Sequence, residues 1–171
     1  LLAAKAEEHE DQTFLQHTDR SISYRVLERQ TNAIAHGFLD AGVRPGDQVC
    51  LYLYNSLEYL YAYLALTKIG AVIVPIDTRF SGEALGHILL ETTADTILID
   101  SRTRADYESV RSHGSYDKNE FFIGDQNPRD RYRTFDELLS GNSTPPSTAK
   151  VDETDTLAII FNQHRGSERP R

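Results

Sequence analysis

Hydrophobic and polar positions follow two rhythms along this chain, and the rhythms predict an ordered series of elements. Leu1 to His9 has the make-up of a short helix. Two short extended runs flank Thr18-Asp19-Arg20, a hairpin-like arrangement. From Tyr24 to Ala41, Leu27, Ile34 and Phe38 recur at helical spacing, with Val26 and Leu39 flanking the stripe. Gly42 follows as the residue that takes the left-handed conformation at a helix end at little cost. "VRPGDQ" is a Pro-Gly turn. "QVCLYLY", Gln48 to Tyr54, is apolar on both faces, the pattern of a buried strand. Asn55 is placed to cap a helix, with Glu58 in capping-box register; Leu57, Leu60, Tyr61 and Leu64 form its apolar stripe, and Gly70 ends it. "AVIVPI" predicts a strand stopped at Pro75, which has no N–H for a central ladder. Glu83 to Glu91 predicts a helix with Leu85, Ile88 and Leu89 inward. "DTILID" predicts a strand, Arg102 to His113 a weaker helix, and "EFFIG" a short strand. Thr134-x-x-Glu137 is a capping box opening "FDELL".

Strands and helices therefore alternate, which predicts an α/β fold: parallel strands, right-handed crossovers and helices on both faces of the sheet. "SGNSTPPSTAK", Ser140 to Lys150, has the composition of an exposed linker, and Thr156 to Phe161 begins one more strand. The expected organisation is an α/β portion over 1–139, a polar linker over 140–155, and a strand with a loop region over 156–171.

Composition narrows the function. The chain has 171 residues, is 39% hydrophobic and 26% charged, and carries a net charge of -8. That surplus of carboxylates argues against binding a nucleic-acid backbone. A single cysteine, Cys50, lies inside an apolar run, where it reads as a small buried hydrophobe; an internal disulfide is impossible and a reducing, cytoplasmic compartment fits. No run approaches the ~20 apolar residues of a membrane span, so any membrane association is expected to be peripheral. No methionine is present, so residue 1 is not expected to be the natural start, and the fold is expected to be incomplete.

Most candidate chemistry has a plainer structural explanation. His9, His17, His36, His87, His113 and His164 show no i, i+4 pair and no neighbouring cysteine, so no metal site is expected. Tyr52, Tyr54, Tyr59, Tyr61 and Tyr63 could stack bases, but the region is poor in Lys and Arg, and core packing accounts for them better. Asp77-Thr78-Arg79 follows a strand, where open α/β sheets bind ligands; a local ion pair on an exposed loop is the simpler expectation. A flavodoxin-like nucleotide binder needs a glycine-rich loop after the first parallel strand, and "YNSLEY" is not one. No nucleophile elbow, Walker loop or dinucleotide fingerprint occurs.

Read together, "SYRVLERQTNAIAHGF", "GVRPGDQV", "YNSLEYLYAYLALTKIGAVIVPIDTRF" and "LGHILLETTADTILID" carry more information than any one of them. In this order and spacing they resemble the N-terminal region of the acyl-activating, adenylate-forming enzymes, from about Asp11 to Phe161. "PIDTRFSGEAL" is most similar to the fatty-acid and carnitine-type acid–CoA ligases of that group. The resemblance implies a carboxylic acid, ATP with Mg2+, and coenzyme A as the full enzyme's reactants, through an acyl-adenylate. It implies that "TLAIIF" leads into the family's ATP-phosphate loop, normally Thr-Ser-Gly-Thr-Thr-Gly-x-Pro-Lys-Gly. Here the loop reads "NQHRGSERPR": Asn162, Gln163, His164, Arg165, Gly166, Ser167, Pro170 and Arg171 occupy its place without the paired glycines and hydroxyls. Glycines let backbone N–H groups approach phosphate, so this departure predicts that the isolated chain is inactive, and no catalytic residue is assigned. Codons also exist for Asn162 to Pro170 whose one-base-shifted reading is Thr-Ser-Thr-Gly-Ala-Pro-Asn-Gly-Pro, which fits a frame error. The alternative is a non-catalytic binding or interaction module of the same fold, with self-association through exposed core.

Overall fold

Alternate side chains of one strand face opposite ways, and along Gln48–Tyr52 the side chains pointing both ways are buried. Such a strand must be covered on both faces. The computed structural model describes residues 2–17, 20–111, 119–125, 131–139, 141–147, 152 and 154–162. It places helices α1 (Leu2–Glu8), α2 (Tyr24–Asp40), α3 (Leu57–Lys68), α4 (Gly82–Glu91) and α5 (Arg104–Val110) around strands β1 (Thr13–His17), β2 (Arg20–Ser23), β3 (Gln48–Tyr52), β4 (Val72–Pro75), β5 (Thr96–Asp100), β6 (Asn119–Ile123) and β7 (Arg133–Thr134). β1 and β2 form an antiparallel hairpin; the others make a parallel sheet in the order β4-β3-β5-β6-β7. The chain is an α/β protein, as its alternating pattern predicts.

Each face of the sheet has its own core. Val49, Leu51, Ile73, Leu98 and Phe121 pack with α2 and α3 through Ile34, Phe38, Ala62, Ala65 and Leu66. Cys50, Tyr52, Val74, Ile97, Ile99 and Phe122 pack with α4 and α5 through Leu85, Leu89, Tyr107 and Val110. The β3-to-β4 crossover covers one face and the β4-to-β5 crossover the other. The direction of winding therefore reverses between β3 and β5. That reversal opens a crevice beyond the carboxyl ends of these two strands. The hairpin lies outside the sheet, where Ile22 joins Leu27 and Leu57.

The helix ends agree with the sequence pattern at α2 and depart from it at α3 and α5. At the end of α2, Gly42 has φ +96°. The Val43 N–H donates to Phe38 O and the Gly42 N–H to Leu39 O at 3.0 Å each, a Schellman close. Leu27, Ile34 and Phe38 are fully buried, but Val26 is 41% exposed and stands off the stripe. Asn55 does not cap α3. The Ser56 hydroxyl accepts the Tyr59 N–H at 3.1 Å, so Glu58 falls one position early for a capping box. Leu60, Tyr61 and Leu64 are only half-buried beneath the hairpin, while Ala62, Ala65 and Leu66 meet the sheet. Small side chains on that face let α3 lie against the sheet. Helix α5 starts later than the pattern suggests, because the Asp100 carboxylate holds the N–H groups of Arg102 and Thr103 in a turn.

The capping box at Thr134 and Glu137 is present and opens a 3-10 turn, Phe135–Leu138, whose buried Leu138 packs over α2. Thr156 to Phe161 contributes one parallel bridge, Ala158 to Ile73, in place of a full strand. Ser143 and Thr144 dock on α2, through Asn32 Nδ2 to Ser143 O at 2.9 Å and His36 Nε2 with Thr144 O at 3.1 Å. No helix among the described residues is long and apolar enough to cross a membrane.

Buried Tyr52 ties β3 to the loop before α4: its hydroxyl donates to Phe80 O at 2.6 Å. Burial pushes this phenol up to about 12, and the charges of Asp106, Asp100 and Asp77 push the same way. Burial also takes Tyr132 to about 12. A raised pKa means the fold favours the protonated phenol, so this stabilisation is complete below the ordinary value of 10.0 and is lost as pH rises toward about 12. The urea midpoint is therefore expected to fall across that interval. Tyr52→Phe should flatten part of the fall, and tyrosinate absorbance in the folded chain should lag behind that of the unfolded chain.

Candidate active-site crevice

A cavity of about 530 Å³ opens at the reversal point, lined among others by Tyr54, Asn55, Asp77, Thr78, Arg102 and Asn162. Four segments meet there: the residues after β3, after β4 and after β5, and the end of the 154–162 segment. The predicted site residues divide accordingly. Asn162 lines this cavity. Gln163, His164, Arg165, Gly166, Ser167, Pro170 and Arg171 lie outside the described residues.

Asp77 and Arg79 form the expected local pair: Arg79 Nε lies 3.0 Å from both carboxylate oxygens, and its Nη2 2.5 Å from Oδ2. Hydrogen bonds from the Arg79 side chain and N–H hold the Asp77 carboxyl down at about 2. Arg79 is 85% exposed, so this pair contributes little to stability.

The better-built cluster is one that the pattern did not single out. Asp100 ends β5 as a buried carboxylate. Its Oδ1 accepts the N–H of Arg102 at 2.8 Å and of Thr103 at 3.1 Å. Its Oδ2 accepts the Tyr54 N–H at 3.2 Å and Arg102 Nη2 at 2.8 Å. Burial pushes this carboxyl up, but the bonds from Arg102, Tyr54 and Thr103 outweigh it and hold the group below its ordinary value. The Arg102 guanidinium lies over the Tyr54 ring, 4.0 Å from its centroid. Arg102 and Thr103 reach Asp100 within one local turn, and the pairing of β3 with β5 brings in Tyr54. The signal in the sequence was a carboxylate closing an otherwise apolar strand, followed by Ser-Arg-Thr.

Other tyrosines behave as packing residues. Tyr52 is buried, and Tyr59 and Tyr63 stack on each other at 6.3 Å along α3. Cys50 is buried with its thiol 3.9 Å from Thr92 Oγ1. His36 is half-buried and His87 exposed, each on its helix.

Residues 2–161 match the family model of the AMP-binding enzymes. The chain belongs to that family. AMP-binding relatives include the crotonobetaine/carnitine–CoA ligase of Salmonella agona, 32% identical over 154 residues, and that of Salmonella typhimurium, 31% identical. Each alignment covers 89% of this chain and 30% of the relative, so the chain spans about a third of the length of these enzymes. Among solved structures, the anthranilate–CoA ligase AuaEII bound to anthranoyl-AMP matches 97% of the chain with a TM-score of 0.89 at 21% identity. It does so over 32% of that protein. The N-terminal domain of FACL13 from Mycobacterium tuberculosis matches 95% of the chain at a TM-score of 0.78 and 21% identity, over 41% of its own length. At these identities the structural matches establish the fold of the AMP-binding family and no more.

Proposed function

We propose that the chain is the N-terminal portion of an ATP-dependent acid–CoA ligase of the fatty-acid or carnitine type. In this reading it has an α/β portion over 1–139, a polar connection over 140–155 and a strand with a divergent phosphate loop over 156–171. Such an enzyme activates a carboxylic acid as its acyl-adenylate and transfers the acyl group to coenzyme A in the cytoplasm. The observation that carries this reading is the family match together with a cavity at the winding reversal that Asn162 lines. Reactants held beyond the carboxyl ends of strands are positioned by backbone and loop donors, which suits phosphate chemistry.

No group of three or more His, Cys, Asp or Glu among the described residues is placed to hold a metal ion. No step is assigned through the metal. The isolated 171-residue chain is expected to show no acid-dependent ATP–pyrophosphate exchange with a panel of fatty and carnitine-type acids; clear turnover would contradict this. The parent activity is tested by grafting residues 2–161 in place of the matching third of a carnitine–CoA ligase. A folded chimera is expected to retain exchange, and a folded chimera silent with every acid would overturn the reading.

A second reading, a non-catalytic interaction module, is favoured by the exposure of Ile160 (69%) and Leu157 (48%) beside the edge of β4. Size exclusion distinguishes the two: concentration-dependent self-association that Ile160→Lys abolishes supports the module.

A further inference from the structure

Arg102 is held in place yet keeps unused donors. One guanidinium nitrogen, Nη2, is bound to Asp100, and the plane rests on Tyr54. Its side chain is still 55% exposed, and Nε and Nη1 make no hydrogen bond among the described residues. A flexible arginine loses rotamer freedom when it binds; this one has been ordered in advance by a buried carboxylate and an aromatic face. The charge of Asp100 is shared among donors from Tyr54, Arg102 and Thr103, so the carboxylate does not saturate the guanidinium. The carboxylate of Asp77, the acidic group lining the same cavity, is already taken by Arg79.

We propose that Arg102, stacked on Tyr54 and anchored by Asp100, is the residue through which the reversal-point cavity binds a phosphate group. Asn55, Thr78 and Asn162 line the same cavity and offer neutral donors, so the wall can serve more oxygens than the two of a carboxylate. A phosphoryl group offers three, and a cavity of about 530 Å³ accommodates a larger molecule that carries one. A guanidinium edge suits it because Arg grips phosphate oxygens in pairs, whereas Lys acts as a point charge. The inference rests on the reading of this crevice as the phosphate side of an adenylate-forming site; it does not require turnover by the chain.

The test is a titration of the 171-residue chain with inorganic pyrophosphate, and with acetate at matched ionic strength, followed at the Arg102 Nε–H resonance and by calorimetry. Pyrophosphate is expected to shift that resonance. Arg102→Gln should weaken binding about tenfold or more, and Arg102→Lys should restore part of it. Both variants should stay folded but with a lower urea midpoint than the parent, because each removes or weakens the charged partner of buried Asp100, so binding is compared where circular dichroism shows all three chains folded. A resonance that pyrophosphate leaves unmoved, or equal affinity in Arg102→Gln, overturns the proposal while leaving the family reading intact. Acetate binding as tight as pyrophosphate would make the crevice a carboxylate seat and overturn it too. Absence of ligase activity in the grafted chimera alongside Arg102-dependent pyrophosphate binding would sink the enzymatic reading alone.

Discussion

Gly37→Ala is expected to destabilise the chain by about 3 kcal/mol, against the direction of helix propensity. In an exposed helix interior the same change stabilises by roughly 0.5–1 kcal/mol, because alanine has less backbone freedom to lose. Gly37 lies within α2, where the 3-10 turn crosses it. An added Cβ would stand 2.1 Å from Leu138 O, 2.5 Å from Leu138 Cα and 2.6 Å from Leu138 C. These are backbone atoms, so no rotamer change relieves the clash. Leu138 is fully buried, and its turn is fixed by the capping box of Thr134 and Glu137. The overlap therefore outweighs the propensity gain. Urea unfolding should show a lower midpoint at unchanged slope. A variant as stable as the parent would mean that the turn can lift from α2 at little cost.

Glu120→Ala is expected to cost roughly 3–5 kcal/mol. Glu120 is a buried carboxylate on β6, in the middle of the packing between the sheet and α5. Arg111 grips both its oxygens, Nε to Oε1 at 2.5 Å and Nη2 to Oε2 at 2.8 Å, and the Tyr107 hydroxyl donates to Oε1 at 2.5 Å. Removing the carboxylate takes two acceptor oxygens from a guanidinium whose side chain is only 30% exposed and one acceptor from a buried phenol. The loss comes mainly from donors deprived of this acceptor in a desolvated place, not from the attraction that was present. Glu120→Leu combined with Arg111→Leu should therefore recover much of the stability lost in Glu120→Ala. A double-mutant cycle in urea measures this; additive losses would show that the pair is not coupled.

The sheet strands and most helices were legible because burial on both faces forces uninterrupted apolar runs, as in Ile97-Leu98-Ile99, and because Leu27, Ile34 and Phe38 mark one side of α2. The orientation of α3 was not legible: its apolar residues run all round the helix, so periodicity could not tell the Ala62 and Ala65 face from the Leu60 and Leu64 face. The Ser56 cap was missed because Asn55 beside it has equal cap chemistry, and geometry decided between them. Strand β7 covers only two residues, Arg133 and Thr134, too few to carry a pattern. The crevice was not legible as such. The resemblance put Asn162 at the start of a divergent phosphate loop, and it lines this cavity, whereas Tyr54 and Asp100 stand 46 positions apart and meet only once β3 pairs with β5.

The bonds from Asn32 and His36 to the backbone at Ser143 and Thr144 join positions 111 and 108 residues apart. Loop-closure entropy grows only with the logarithm of length, so such a clasp costs little more at equilibrium than a short connection. Its kinetic meaning is different. Folding slows as the mean sequence separation of contacts rises, and this clasp adds to that mean. It is expected to form late, and the Asn32 side-chain amide is the probe that times the return of Ser143 to α2.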